Sequence, residues 1–217
     1  LAFYAKRLRA NQDDARTLVQ QGTAMAPAPK SLAESGAEGW TRVEIRFPAA
    51  HRSQLLDITV LTPQGTSNGK LVVISHGLWD EPDSFEGWGR LLAAHGYTVL
   101  LPDHPGSDAK QQKQLLDGAS PPPSAEELRF RPLDISVLLD GVEAGTLLTG
   151  QQIAIDDVAV VGHSWGATTA LQLSGLQTTS RKLKTRCQDP LDLDRNLSWV
   201  LQCSWLSGAD QGSLADS

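Results

Sequence analysis

The stretch that decides the fold is DVAVVGHSWGATTA, residues 157–170. It divides into three parts. Residues 157–162 are an apolar run suited to a buried strand, and Ala167-Thr168-Thr169 opens a helix with small residues. Between them stands Gly162-His163-Ser164-Trp165-Gly166, a G-x-S-x-G. A sharp strand-to-helix turn brings backbone close to backbone and forces an unfavourable dihedral on its central residue, which explains flanking glycines. The Ser164 hydroxyl is thereby held out of the sheet, and the helix N-terminus beneath it favours developing negative charge. A chance G-x-S-x-G in a glycine-rich loop is the bland alternative. Strand and helix in the right places favour Ser164 as a nucleophile on an elbow.

Working outward, KLVVIS (70–75) is another continuous apolar run, and His76-Gly77-Leu78 follows it. An acyl-transferring serine needs two backbone N–H groups aimed at a carbonyl oxygen. One comes from the residue after the nucleophile, Trp165, and the other from this upstream loop, at Leu78. Gly77 lets the chain turn there, and His76 is read as orienting the loop rather than reacting. Trp79 and Trp165 are candidate walls of an apolar pocket.

The rest of the chain is consistent with this frame. TRVEIRF (41–47) and LLDITVLT (55–62) have partly alternating patterns suited to an antiparallel edge pair. A helix holding Phe85, Trp88, Leu91, Leu92 and His95 ends at Gly96, and YTVLLPD (97–103) is the next buried strand. The PDHPGSD loop leads to a polar helix at 109–116, and a helix from Pro132 to about Ala144 is expected, with Pro132 at its first position. Strands alternating with helices imply an α/β fold with a mostly parallel, helix-covered sheet. At the front, residues 1–21 read as helical, with Leu1, Tyr4, Leu8, Ala15, Leu18 and Val19 forming a stripe that needs a surface to bury against. Residues 22–39, rich in Ala, Pro, Gly and Ser, are a linker, which leaves 40–217 as the main domain.

Composition narrows the class. The 217 residues are 40% hydrophobic and 20% charged, with 25 Asp+Glu against 19 Lys+Arg and a formal charge of −6. That excludes collagen, a coiled coil, a disordered chain and a disulfide-dense mini-protein. The acidic balance argues against nucleic acid as a partner. No apolar run reaches the length of a membrane span. Cytoplasmic, periplasmic and secreted locations all stay open. The chain begins at Leu1, which suggests processing or a fragment.

VVISHGLWDEPDSFEGWGRLLAAHGYTVLLPDHPGSD, FRPLDISVLLDGV and VAVVGHSWGATTALQL together resemble the α/β-hydrolases, specifically the dienelactone hydrolase-like and platelet-activating-factor acetylhydrolase-like branch. The resemblance runs from about Trp40 to Leu173. It implies a three-layer α/β-hydrolase sandwich and a carboxylic-ester hydrolase acting on a small-molecule or lipid ester. Ser164 would be the nucleophile, and the Leu78 and Trp165 amides the oxyanion hole. It implies no metal or organic cofactor.

One departure stands out. In this fold the triad follows the order Ser, Asp or Glu, His. Asp189, Asp192, Asp194, Asp210 and Asp216 follow Ser164, but all five histidines (His51, His76, His95, His104, His163) precede it. His104 belongs to a PDHPG loop that shapes the pocket. His163 is expected to point away from Ser164 and pack, His95 precedes a helix end, and His51 sits in a turn. None reads as the base, so a truncated chain, inactive alone and lacking its last strands, is the expectation. The 157–161 strand would then be an exposed apolar edge. A non-catalytic interaction module and an acyltransferase are the rival readings.

Residues 176–206 lie where such hydrolases insert a cap or lid, with Leu197, Val200, Leu201 and Trp205 as an apolar stripe. Cys187 and Cys203, the only cysteines, fall within it. A disulfide and two reduced, packed thiols are both open readings. Without a nearby histidine pair they are not a zinc set. Asp134, placed in a helix's first turn, is read as complementing the helix dipole. Asp103 is read as a strand-end residue bonded to backbone.

Overall fold

The computed structural model describes residues 39–176, together with residues 13, 16, 17, 19–21 and 187. The chain divides into two compact units, Leu1–Ser35 and Gly36–Ser217. In the first, the described residues are helical, and Arg16 pairs with Asp13 one turn away at 3.4 Å. Val19, expected on a buried stripe, is instead 65% exposed, and the polar residues described around it are exposed too.

The second unit is built on a five-stranded sheet. In chain order its strands are β1 (Trp40–Phe47), β2 (Leu56–Pro63), β3 (Leu71–Ser75), β4 (Thr98–Pro102) and β5 (Val158–Gly162). In space the order is β1-β2-β4-β3-β5. β1 and β2 pair antiparallel along their whole length, from Trp40 opposite Pro63 to Phe47 opposite Leu56. β2 meets β4 antiparallel, while β3 runs parallel to both β4 and β5. The sheet is thus mixed, with its parallel part where continuous apolar runs were found. Among the described residues β5 pairs with β3 alone, and its Val161 is 44% exposed.

The helices are α1 (Glu86–Ala94), α2 (Ala109–Leu116), α3 (Glu127–Glu143) and α4 (Trp165–Leu173). Alternate side chains of the central strands enter two separate cores. Ile58, Val60, Leu71, Val73 and Leu100 pack with Ile135 and Leu138 of α3. Leu61, Val72, Ile74, Val99 and Leu101 pack with Ala93 of α1. A strand buried on both faces has no polar side to alternate with, which explains the unbroken runs LVVIS and TVLLP.

Two local readings need correction. α3 begins at Glu127, so Pro132 lies inside the helix, not at its first position. The proline removes one intrahelical donor, and packing of the flanking turns outweighs that loss. Asp134 accordingly sits in the middle of α3, far from any first turn, and the helix dipole is not what satisfies it. The expected lid lies outside the described residues except for Leu176 and Cys187. Cys187 is helical and disulfide-bonded; Cys203 is outside the described residues.

Candidate active site

The chain leaves β3 for β4 on one side and returns to β3's other side as β5. Such a reversal opens a crevice at the C-terminal ends of the two strands, where ligands bind in open α/β sheets. The segments that emerge there are His76–Trp79 after β3 and His163–Trp165 after β5.

Ser164 has φ 53° and ψ −114°, in the left-handed half of backbone space that non-glycine residues avoid. Its neighbours hold it there. The His163 amide donates to the Ser75 carbonyl (3.2 Å), the Gly166 amide to the His163 carbonyl (2.8 Å) and the Thr168 amide to the Ser164 carbonyl (3.2 Å). The flanking glycines are required by close approach. A Cβ on Gly162 would stand 2.5 Å from the Ala167 nitrogen, and one on Gly166 would stand 2.8 Å from the His76 carbonyl oxygen. Elbow and upstream loop therefore touch, backbone to backbone. Gly77 is tight but less so, since a Cβ there would lie 3.1 Å from His163 Nδ1 and 3.3 Å from the Ser164 Cβ. Ser164 is exposed, and its hydroxyl has no hydrogen-bond partner among the described residues.

The loop after β3 is pinned at several points. His76, 1% exposed, sets Nδ1 against the Gly77 carbonyl at 2.7 Å, so that nitrogen carries a hydrogen and donates it. The His104 amide is shared between His76 Nε2 (3.1 Å) and the Asp103 carboxylate (3.0 Å). Asp103 is thus bonded to backbone, as read from its position. The Gly77 carbonyl and the Leu78 N–H lie on opposite sides of one trans peptide. Holding the carbonyl therefore aims the amide. Trp79 follows at φ 61°, with its amide on the Ser107 carbonyl (2.8 Å) and its indole N–H on Gln111 Oε1 (2.7 Å). Beside it an apolar cluster joins Ala125 and Trp165, both buried, with Leu78, Trp79 and Leu128.

His104 supports the loop after β4 from the interior. It is wholly buried, Nε2 lies 2.9 Å from Ser75 Oγ, and Nδ1 lies 2.8 Å from Asp134 Oδ2. Burial drives its pKa down to about 3, with the Arg131 cation adding to the effect and Asp134 opposing it. His163, expected to pack, is exposed, although its ring lies 6.1 Å from that of Phe85 and its Nδ1 only 3.1 Å from where a Cβ on Gly77 would stand. His51 is also engaged, Nε2 to Asp134 Oδ1 at 2.7 Å. No histidine bonds to Ser164 among the described residues.

Sequence reasoning missed the polar network beneath the elbow. Asp134 accepts from His51, His104 and both Nε and Nη2 of Arg52 (2.8 and 2.7 Å). Burial works against its carboxylate, yet these donors hold its pKa below the usual range. Arg52 also reaches Glu127 at 2.8 Å, whose carboxyl burial pushes up. Arg131, wholly buried, donates to the His76 carbonyl, to Ser107 Oγ (2.9 Å), and to Ser75 Oγ and Thr169 Oγ1 (both 3.3 Å). A signal for this did exist. Arg131, Asp134, Ile135 and Leu138 stand at i, i+3, i+4 and i+7, so the two charges share the buried face of α3.

Among the described residues no cluster of His, Cys, Asp or Glu is arranged to hold a metal ion. None of their helices is long and apolar enough to cross a membrane.

The chain is similar in fold to several esterases of known structure. One is a ferulic acid esterase from Streptomyces cinnamoneus, 18% identical, with a TM-score of 0.48, covering 69% of this chain and 57% of that one. Another is a cold-adapted esterase from an Arctic intertidal metagenomic library in its zinc-bound form, 17% identical, with a TM-score of 0.42 over 63% of this chain and 53% of that one. The chain thus spans little more than half the length of these structures. No curated protein matches it in sequence. The profile of the alpha/beta hydrolase family matches residues 71–211, from the first strand of the parallel pair through the elbow and beyond. By that match, and by the elbow at the end of β5, the chain belongs to the alpha/beta hydrolase family.

Proposed function

We propose that this protein is a serine hydrolase that cleaves a carboxylic ester through an acyl-enzyme on Ser164, in the dienelactone hydrolase-like and platelet-activating-factor acetylhydrolase-like branch of its family. The observation that carries the reading is Ser164 itself: exposed, strained at φ 53°, and in reach of the Gly77–Leu78 loop. Backbone strain of this kind collects at reactive sites.

In this reading Ser164 Oγ attacks the ester carbonyl while a base takes its proton. The carbonyl oxygen becomes an oxyanion held by the Leu78 and Trp165 amides. The carbon–oxygen bond to the alcohol then breaks, the base returns the proton to the leaving alcohol, and water hydrolyses the acyl-enzyme by the same steps. The apolar cluster of Leu78, Trp79 and Leu128 would take the apolar part of a small-molecule or lipid ester. Among the described residues none of the five histidines bonds to Ser164, and the rings of His51, His76 and His104 are engaged with other partners, so this reading leaves the base unassigned.

The test is covalent labelling. A fluorophosphonate should label the full-length protein, and Ser164→Ala should abolish the label. Labelling that persists in the Ser164→Ala protein would overturn the assignment, as would a wild-type protein that never reacts.

A further inference from the structure

Two amides on different elements must be held a fixed distance apart for an oxyanion hole to work. Leu78 lies on the loop after β3, and Trp165 opens α4. Their backbones meet where Gly166 packs against Ser75 and His76. A van der Waals contact at a glycine resists compression, but it does not resist the two segments drifting apart. The His163 amide on the Ser75 carbonyl (3.2 Å) ties the strand ends, and the Leu78 and Trp165 segments beyond them need directional ties of their own.

We propose that Arg131 is the positioning residue of the oxyanion hole, its one guanidinium tying the Leu78 loop to the Trp165 helix. The inference rests on the Ser164 hydrolase reading. On the loop side, Nη2 donates to the His76 carbonyl and to Ser75 Oγ, immediately before Gly77 and Leu78. On the helix side, Nε donates to Thr169 Oγ1, and the Thr169 hydroxyl donates in turn to the Trp165 carbonyl at 3.0 Å. Nη1 reaches Ser107 Oγ at 2.9 Å, and the Ser107 carbonyl holds the Trp79 amide at 2.8 Å. The planar fork thus touches both walls of the hole and the loop that backs one of them.

Stability is a weak account of this arrangement. Taking a cation wholly out of water is costly, and apolar replacements of buried ionic groups are often neutral or stabilising. The lowered pKa of Arg131, brought to about 10 by burial with Asp134 and Glu127 opposing it, reflects that cost. What an apolar side chain cannot supply is several directional donors in one rigid plane. A lysine would keep the charge but not the fork, which separates geometry from simple electrostatics.

The experiment uses the full-length protein with Arg131→Lys and Arg131→Met. It measures kcat and KM for p-nitrophenyl acetate and affinity for phenylboronic acid, whose adduct with the serine is tetrahedral. The expected result is a KM within about twofold of wild type. Loss of the fork should lower kcat about tenfold in the lysine variant and about a hundredfold in the methionine variant, with boronate affinity falling in parallel. Unchanged kcat and boronate affinity in Arg131→Lys would overturn the proposal. So would a rise in KM alone. If the Arg131 variants do not fold, the double variant Ser107→Ala/Thr169→Val removes two of the ties and leaves the cation in place. A fall in kcat with unchanged KM supports the proposal there, and no fall overturns it. A wild-type protein no more active than Ser164→Ala would instead defeat the hydrolase reading itself.

Discussion

His104 and Asp134 meet at 2.8 Å, Nδ1 to Oδ2, with neither side chain exposed to solvent, and Ser75 Oγ lies 2.9 Å from the other ring nitrogen. The connectivity is serine, histidine, aspartate. Yet Ser75 is 0% exposed and also accepts from Arg131, so no substrate reaches it. A triad is recognised by what its members can do, not by connectivity alone. Here the same three groups form an interior brace beneath the exposed serine.

The brace makes Asp134 the member whose loss costs most. It accepts from two histidines and from Arg52 twice, and its own carboxylate is closed to water. Asp134→Asn keeps the shape but removes the charge that balances Arg52. Breaking a buried ion pair from one side typically costs about 3–5 kcal/mol. Urea unfolding of the variant should show a loss of about 3 kcal/mol, and a loss under about 1 kcal/mol would contradict the reading.

Acid should weaken the fold through His104. Its pKa is lowered to about 3 in the folded state, first by burial and then by the Arg131 charge, whereas in the unfolded chain it titrates near about 6.5. Between those values the unfolded state binds the extra proton, so stability rises with pH and is lost as pH falls below about 6.5. Asp134 acts in the same direction at lower pH, because its folded pKa is also depressed. Urea midpoints should fall by the equivalent of about 2 kcal/mol from pH 6.5 to pH 5. His104→Asn should flatten that dependence, and a wild-type midpoint constant over the interval would refute the account.

Backbone strain at Ser164 is separable from its chemistry. A glycine adopts φ 53° without a Cβ clash, and the relief outweighs its greater entropy loss on folding. Ser164→Gly should gain about 1 kcal/mol, a rise in Tm of about 2–4 °C, while losing all fluorophosphonate labelling. A lower Tm would mean that the elbow is not strained.

Much of the frame was legible because it is local. The buried strands appear as apolar runs, the edge strand β1 as partial alternation, and the turn at Ser164 as glycines flanking a serine between a strand and a helix. β2, paired on both sides, is buried at four consecutive residues and alternates little. α2 was equally plain, since Asp108 caps it by accepting from the Gln111 amide at 2.7 Å. The start of α3 was misplaced because Pro132 signals a first helical position, while packing of the turns on either side carries the helix through it. The exposure of His163 could not be seen from periodicity, since at an elbow the backbone rather than hydrophobicity sets direction.

By itself the sequence determined which segments form strands and helices and which serine stands on the elbow, because those depend on neighbours a few residues apart. Tertiary structure alone decided the order β1-β2-β4-β3-β5, the burial of His104, and the place of the Arg131 cation. The reason is separation along the chain. Arg131 meets a carbonyl 55 residues away, and Asp134 meets a histidine 83 residues away. A buried charge takes whatever partners the fold brings to it, and no local pattern records which they will be.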